Sequence, residues 1–358
     1  PGQDLRTSID IRIQYLAYRE LKKAIQERRA ASGSIVVIDV ETGEVLAMVN
    51  QPSYNPNDPE QRDANDYRNR AATDLMEPGS IMKPFVATAG IIAGRYHADT
   101  IIDTSPGQVK VGIKTFVDEH PIGAAPLTTV IAKSSNVGMV KLGMNLKPEQ
   151  MWTTLDAFGF GRKTGSGFPG ESAGMLPNFK QWRPINQATM SFGYGLQVTP
   201  LQLGQAYAIL GAGGVSRPLT FERVEVETKG VRVIDQSVAH EMIKIMQSVV
   251  SEEGTAKSAA VTGYQVSGKT GTAKLASMGG YAEGRHVASF GGVVPASNPR
   301  LAAVVVINDP RDGNYYAGTI AAPVFANVMS GALRLLAIPP DGLDSVPAAT
   351  IVQTEAVP

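Results

Sequence analysis

Cysteine is absent from all 358 residues, which removes disulfides, thiol nucleophiles and thiolate metal sites together. An excess of either charge is absent too: 33 Lys and Arg balance 33 Asp and Glu. The basic footprint of a nucleic-acid binder is therefore missing, and no long block of like charge stands out. The densest basic stretch, RELKKAIQERR (19–29), is interleaved with Glu20 and Glu27 and reads as a solvated helix face. No apolar run approaches the ~18 residues of a membrane span, and the first residues do not read as a signal peptide. The four histidines, His97, His120, His240 and His286, lie apart and form no motif.

What is present is ordinary globular composition, 43% hydrophobic and 18% charged, in a chain long enough for a sizeable core. DIRIQYLAYRELKKAIQERRA (10–30) repeats apolar residues at helical spacing behind Asp10, a candidate N-cap. GSIVVIDVETGEVLAMVN (33–50) reads as a hairpin turning at Thr42-Gly43. Residues 51–70, rich in Pro, Asn and Asp, read as loop. Helices are expected over 80–94, near 126–133, 136–145, 148–158 and 200–212, over 238–250 and over 320–337. Short strands are expected within 108–117. YQVSGKTGTAK, HVASFGGVVPA and LAAVVVIND read as three successive strands. The first hairpin is expected to pair with these three, so that the two chain ends build one sheet. The tail from Pro339 is expected to be loosely held. No internal repeat and no apolar-poor linker forces a domain cut.

GYQVSGKTGTA (263–273) satisfies the spacing of a phosphate-binding loop, with Gly263, Gly268, Lys269 and Thr270 in place, and LAAVVVIND follows like an acidic strand. The context argues against a nucleotide. Such a loop needs an apolar strand before it and a helix opening at Gly-Lys-Thr, but KSAAVT precedes it and Gly279-Gly280 stops any helix. Only Ser297-Asn298-Pro299-Arg300 joins the next two strands, which makes them antiparallel neighbours; parallel strands need a crossover of a dozen residues or more.

Another chemistry starts at EPGSIMKPF (77–85). Ser80-Ile81-Met82-Lys83 is a Ser-x-x-Lys behind a Pro-Gly turn. Pro84 has no N–H to offer the carbonyl of Ser80, which places Ser80 in or beside a first helical turn. Positions three apart share a face, so the Lys83 amine is expected to reach the Ser80 hydroxyl. A serine hydroxyl needs a base, and a lysine serves only when neutral. Burial, or a second cation such as Lys269, would lower its pKa. AKSSNVG (132–138) supplies Ser134-Ser135-Asn136, a Ser-x-Asn that alone would be no more than a loop or helix cap. Ser-x-x-Lys, Ser-x-Asn and a strand-borne Lys-Thr-Gly in that order are the three elements of penicillin-recognising serine enzymes.

Together with SFGYGLQVTPLQL, VLAMVNQPSYNPND, AAPVFANVM and the NDP after the last strand, these motifs make residues 4–340 resemble the transpeptidase domain of a class B penicillin-binding protein, most of all the septal FtsI type, penicillin-binding protein 3. The resemblance implies an α+β fold: a central five-stranded, mainly antiparallel sheet flanked by helices, with an all-helical subdomain (about 75–260). It implies one transpeptidase domain over 1–340 with its sheet from about 33–50 and 264–309, a flexible tail over 341–358, and no membrane anchor or pedestal in this chain. It also implies a place on the periplasmic face of the bacterial inner membrane.

By the same resemblance Ser80 is the acylated nucleophile and Lys83 its base. Ser134 relays a proton, Asn136 binds the donor peptide's amide, and Lys269 supports Ser134 and the substrate carboxylate. The hydroxyls of Thr270 and Thr272 hold that carboxylate. The N–H groups of Ser80 and Thr272 form the oxyanion hole. Gly271 would leave the strand edge open to a substrate. Tyr194, Tyr315 and Tyr316 are candidates to line the groove, flanked by His286 and Lys274; ordinary packing tyrosines are the alternative. The implied reaction is D,D-transpeptidation of a stem pentapeptide ending in D-Ala-D-Ala, with β-lactams as covalent inhibitors, no cofactor, no metal and no nucleic acid. A membrane glycosyltransferase and other division proteins are the implied partners. A β-lactamase or D,D-carboxypeptidase built on the same site is the alternative. The middle motif is Ser-Ser-Asn rather than Ser-Asp-Asn, and no Glu-x-x-x-Asn is placed to activate a deacylating water, both of which point away from class A β-lactamases.

Overall fold

The computed structural model describes residues 2–58, 60, 63–226, 229–277 and 280–342. Five strands form its main sheet: β1 (Ser32–Asp39), β2 (Val45–Gln51), β3 (Ser267–Ser277), β4 (Gly280–Val294) and β5 (Leu301–Asn308), in the order β2-β1-β5-β4-β3 and antiparallel throughout. The first hairpin joins the last three strands through the β1–β5 pairing, Val36 opposite Val304. Strand β3, which carries Lys269-Thr270-Gly271, lies at the sheet edge.

Strands β1 and β5 are apolar almost without alternation because both sheet faces are covered. Helix α1 (Ile11–Glu27) packs on β2 and on the last helix, Ala317–Leu335, through Ile13, Ala17, Leu21 and Ala24. Asp10 caps α1, its side chain accepting from the Arg12 N–H. On the opposite face runs α6 (Pro200–Gly211); a Cβ at Gly204 would meet Val36 and Ile38, whereas one at Gly33 would meet Leu21 and Ile25 of α1. Phe290 meets Phe325 of the last helix edge to face while its neighbour Gly291 gives way to Tyr207 of α6.

The helical layer between β2 and β3 holds α2 (Lys83–Ile92), α3 (Leu127–Ala132), α4 (Asn136–Met144), α5 (Pro148–Ala157) and α7 (Gln236–Gln247). Phe85 of α2 sits at the centre of an aromatic cluster, 4.8 Å from Phe158, 5.4 Å from Phe160 and 5.1 Å from Tyr207 of α6. This cluster ties the start of α2 to α6, which in turn packs on β1 and β5. The expected strands within 108–117 form a small hairpin, Gln108–Val111 with Lys114–Val117. Short helices at Arg70–Thr73 and Pro184–Met190 interrupt stretches with no clear period. The expected loose tail lies outside the described residues from 343 onward. Among the described residues no helix is long and apolar enough to cross a membrane.

Candidate active site

Ser80 sits in a 3-10 turn, Gly79–Met82, immediately before α2. Gly79 makes that turn at φ 60, in the left-handed region that glycine adopts without penalty, and its N–H donates to the Gly193 carbonyl at 2.9 Å. The same turn is pinned from below, where the buried Tyr207 hydroxyl donates to the Ile81 carbonyl at 3.1 Å. A Cβ at Gly79 would lie 3.0 Å from Ala273 and 3.6 Å from the Thr272 carbonyl, so the Ser80 turn rests directly on β3.

Lys83, at the head of α2, is completely buried. Its amine faces the turn between α3 and α4, near three oxygens: the Ser134 carbonyl at 2.6 Å, the Ser134 hydroxyl at 3.1 Å and Asn136 Oδ1 at 2.8 Å. The expected Lys83–Ser80 hydrogen bond is therefore not formed. Those three acceptors take the amine, and among the described residues the Ser80 hydroxyl has no hydrogen bond. Lys269, equally buried, donates from the other side to the same Ser134 hydroxyl at 3.0 Å, and to the Thr270 carbonyl and hydroxyl. Burial, reinforced by the facing Lys269 and opposed by Asp118, holds the Lys83 amine well below the ordinary lysine range. Burial alone brings Lys269 down to about 7.

Ser134 occupies the left-handed region at φ 59, a strained place for a side chain of its kind. What holds it there is the start of α4. Ser135 caps that helix, its hydroxyl accepting from the Gly138 N–H. Asp118, which nothing in the sequence singles out, completes the cap: Oδ2 accepts from the Ser135 hydroxyl at 2.6 Å, and Oδ1 from the N–H groups of Asn136 at 2.6 Å and Val137 at 2.9 Å. A carboxylate on free N–H groups at a helix start is favoured by both hydrogen bonding and the helix dipole. Because Asn136 Oδ1 accepts from Lys83, its amide NH₂ remains available for another acceptor, with only a 3.4 Å contact to the Val117 carbonyl.

Ser80, Ser134, Asn136, Thr270 and Thr272 line one groove of about 930 Å³, together with Tyr194, Tyr315, Tyr316, His286 and Lys274. The five candidate catalytic side chains, drawn from three separated stretches, thus meet in one place. Thr272 receives the Ala317 N–H at its hydroxyl, and Thr270 shares a 3.0 Å hydrogen bond with Thr255, a second groove residue without a sequence signal. The rings of His286, Tyr315 and Tyr316 stack in series, 4.5 Å apart at each step. Tyr194 leans on Phe192 and Tyr281, and its hydroxyl receives the Lys274 N–H at 3.3 Å. Gly271 has a different reason from the one expected: a Cβ there would lie 2.4 Å from the Ser289 hydroxyl, 3.0 Å from Ile81 and 3.1 Å from the Pro78 carbonyl. The missing side chain lets the Ser80 turn settle on β3 rather than clearing the outer edge. The phosphate-loop reading fails in space: Lys269 is on an edge strand with its amine buried, and the strand beside it is antiparallel.

An edge strand, a serine at a helix head and two buried lysines sharing a second serine have the form of a serine acyl-transfer site on an α+β frame. A family model, "Penicillin binding protein transpeptidase domain", matches residues 33–330. The chain belongs to this penicillin-binding-protein transpeptidase family, in its class B, FtsI-like branch. It is 44% identical over 339 residues to the probable peptidoglycan D,D-transpeptidase PenA of Neisseria gonorrhoeae, an alignment covering 95% of this chain and 58% of that protein. It is 43% identical over 342 residues to the peptidoglycan D,D-transpeptidase FtsI of Escherichia coli K12, covering 96% of this chain and 58% of FtsI. The chain thus spans somewhat over half of the length of these relatives. Among solved structures it is similar to the apo TP domain of Burkholderia pseudomallei penicillin-binding protein 3, with a TM-score of 0.86, 39% identity, and coverage of 95% of this chain and 99% of that one.

Proposed function

We propose that the chain is the catalytic domain of a peptidoglycan D,D-transpeptidase of septal cell-wall synthesis, covering residues 1–340, and that it is inactivated by β-lactams. The observation that carries the reading is the pair of buried amines from separate motifs, Lys83 and Lys269, converging at 3.1 and 3.0 Å on the Ser134 hydroxyl in the groove that also holds Ser80.

In this reading the Ser80 oxygen attacks the carbonyl of the penultimate D-Ala. Its proton passes to neutral Lys83, which swings from Ser134 as the site fills; hydrogen bonds of an empty site commonly tighten only with substrate bound. The developing oxyanion takes the N–H groups of Ser80 and Thr272, a pair of fixed donors worth about 3–4 kcal/mol each in comparable enzymes. Protonated Lys269 with the Thr270 and Thr272 hydroxyls holds the terminal carboxylate, and the Asn136 NH₂ holds the donor amide. The Ser134 hydroxyl, touching both amines, hands a proton to the departing D-Ala nitrogen as the C–N bond breaks. An amine of a second stem then attacks the ester, Ser80 recovers its proton, and a cross-link is formed. Work at the periplasmic face of the inner membrane, alongside a membrane glycosyltransferase and other division proteins, is part of the same reading.

Incubation with a penicillin followed by peptide mapping tests it. One adduct is expected, on the peptide containing Ser80, persisting for many minutes and lost in Ser80→Ala. With a thioester donor and a D-amino-acid acceptor, the exchange product is expected to exceed the hydrolysis product. An adduct hydrolysed within seconds would move the chain to the β-lactamases, and hydrolysis without exchange to the carboxypeptidases.

A further inference from the structure

The groove continues past the site that the reaction needs. If the terminal carboxylate rests on Thr270 and Thr272 and the attacked carbonyl on the Thr272 N–H, the donor runs along the β3 edge toward Lys274, its next amide passing Asn136. Two segments meet over that path. On one wall Asp118 grips the Asn136 N–H and Val117 lies against the Asn136 amide, so the next residue, Glu119, stands just upstream of the reacting bond. On the other wall the Ala317 N–H holds the Thr272 hydroxyl, and Tyr316 immediately precedes it. The Tyr316 hydroxyl donates to Glu119 Oε1 and joins the two walls. Both residues line the groove. Among the described residues Glu119 forms no ion pair.

A carboxylate fixed over a substrate channel, with no cation of its own, calls for a cation on the substrate. Resting on the proposed function, the reaction itself says which. The acceptor is an amine carried by a stem peptide, and donor stems come from the same pool, so every donor carries that amine too. We infer that Glu119, positioned by Tyr316, is a specificity residue that binds the side-chain ammonium on the donor residue immediately before the D-Ala pair. Tyr316 ends the ring stack, and its outer face gives the same ammonium a second favourable contact.

The test uses the full chain and two thioester donors that differ only in whether this amine is free or acetylated, competed in one tube while Ser80 acyl-enzyme is counted by mass spectrometry. The chain as it stands is expected to prefer the free amine by roughly two- to fivefold, the range of an exposed ion pair, and less so at 1 M salt. Glu119→Gln should bring the ratio close to one, Glu119→Lys below one, and Tyr316→Phe, which keeps the ring stack but frees the carboxylate, to an intermediate value. Because each ratio is taken within one protein, a general loss of rate cancels. An unchanged ratio in Glu119→Gln, or no preference in the parent chain, overturns the inference while leaving the transpeptidase reading intact. A parent chain that neither donor nor penicillin acylates at Ser80 removes both.

Discussion

The Ser134 hydroxyl has two lone pairs and one proton, and a lysine amine lies on each side of it. Were both amines charged, both lone pairs would be taken and two buried cations would face each other across one oxygen. Burial pushes both amines down, and the charge of Lys269 pushes Lys83 further, so Lys83 is the first to lose its proton. One neutral and one charged lysine is what the proposed acyl transfer requires: a base for Ser80 and a cation for the carboxylate. Acylation by penicillin should therefore rise with pH as Lys83 empties and fall again as Lys269 titrates near 7, the two limbs belonging to the pair. The rate constant for adduct formation, followed from pH 5 to 10, checks this; a monotonic rise to pH 10 would contradict it. Stability follows the same shifts with the opposite profile to a salt-bridged lysine. Between about 7 and 10.5 the unfolded chain binds the Lys269 proton and the folded chain does not, so stability increases with pH across that window. At about 1.4 kcal/mol per unit, the buried amine costs on the order of 4 kcal/mol at neutral pH. Lys269→Met should accordingly melt several degrees higher at pH 7 while forming no cross-links, with the gap closing as pH nears 10.5; calorimetry at both pH values decides.

At the scale of elements, the start of α4 sets the geometry of the middle motif. Asp118 accepts from two backbone N–H groups on one carboxylate oxygen and from the Ser135 hydroxyl on the other. Asp118→Asn keeps the shape but offers one acceptor oxygen where two are used. A loss of about 1–3 kcal/mol in stability is expected, as for a buried donor left unpaired. Penicillin acylation should slow by about tenfold or more as Asn136 and Ser134 shift, an estimate for a misplaced catalytic group. Because Asp118 also favours the charged form of Lys83, its removal should move the acidic limb of the acylation profile to lower pH. A variant that loses stability yet keeps its acylation rate and acidic limb would show the cap to be structural only. Strand β3 and the Ser80 turn meet through the bare Gly271. Gly271→Ala drives a methyl into Ser289 and lifts the turn, and Ser289→Ala, which removes the nearest obstacle at 2.4 Å, should restore part of the acylation rate.

Over the whole molecule, much of the architecture was legible because it is written in local patterns: the 3.6 period of α1, the Thr42-Gly43 turn, and the four-residue link that forces β4 and β5 to be antiparallel. The meeting of Ser80 with both lysines was legible because their motifs have fixed spacing. Asp118 and Thr255 were not. Each is a lone polar residue in a loop whose partner lies 15 or more positions away, and such contacts leave no period to read. The packing role of Gly271 is hidden for the same reason, since its neighbours Pro78 and Ile81 are nearly 200 positions away in the chain. Tyr207 is a further case: its place in α6 reads as plain core, yet its hydroxyl reaches across to the Ile81 carbonyl beside Ser80. Tyr207→Phe keeps the ring contacts with Phe85 and removes only that tie. The expected outcome is a modest loss of stability, about 1 kcal/mol for one buried hydrogen bond. A disproportionate fall in acylation should accompany it, because the lost bond fixes the turn that aims Ser80. Denaturant melts alongside penicillin-adduct kinetics separate the two effects; acylation unchanged in a variant of the expected stability would mean that Gly79 and Gly271 hold the turn without help from the core.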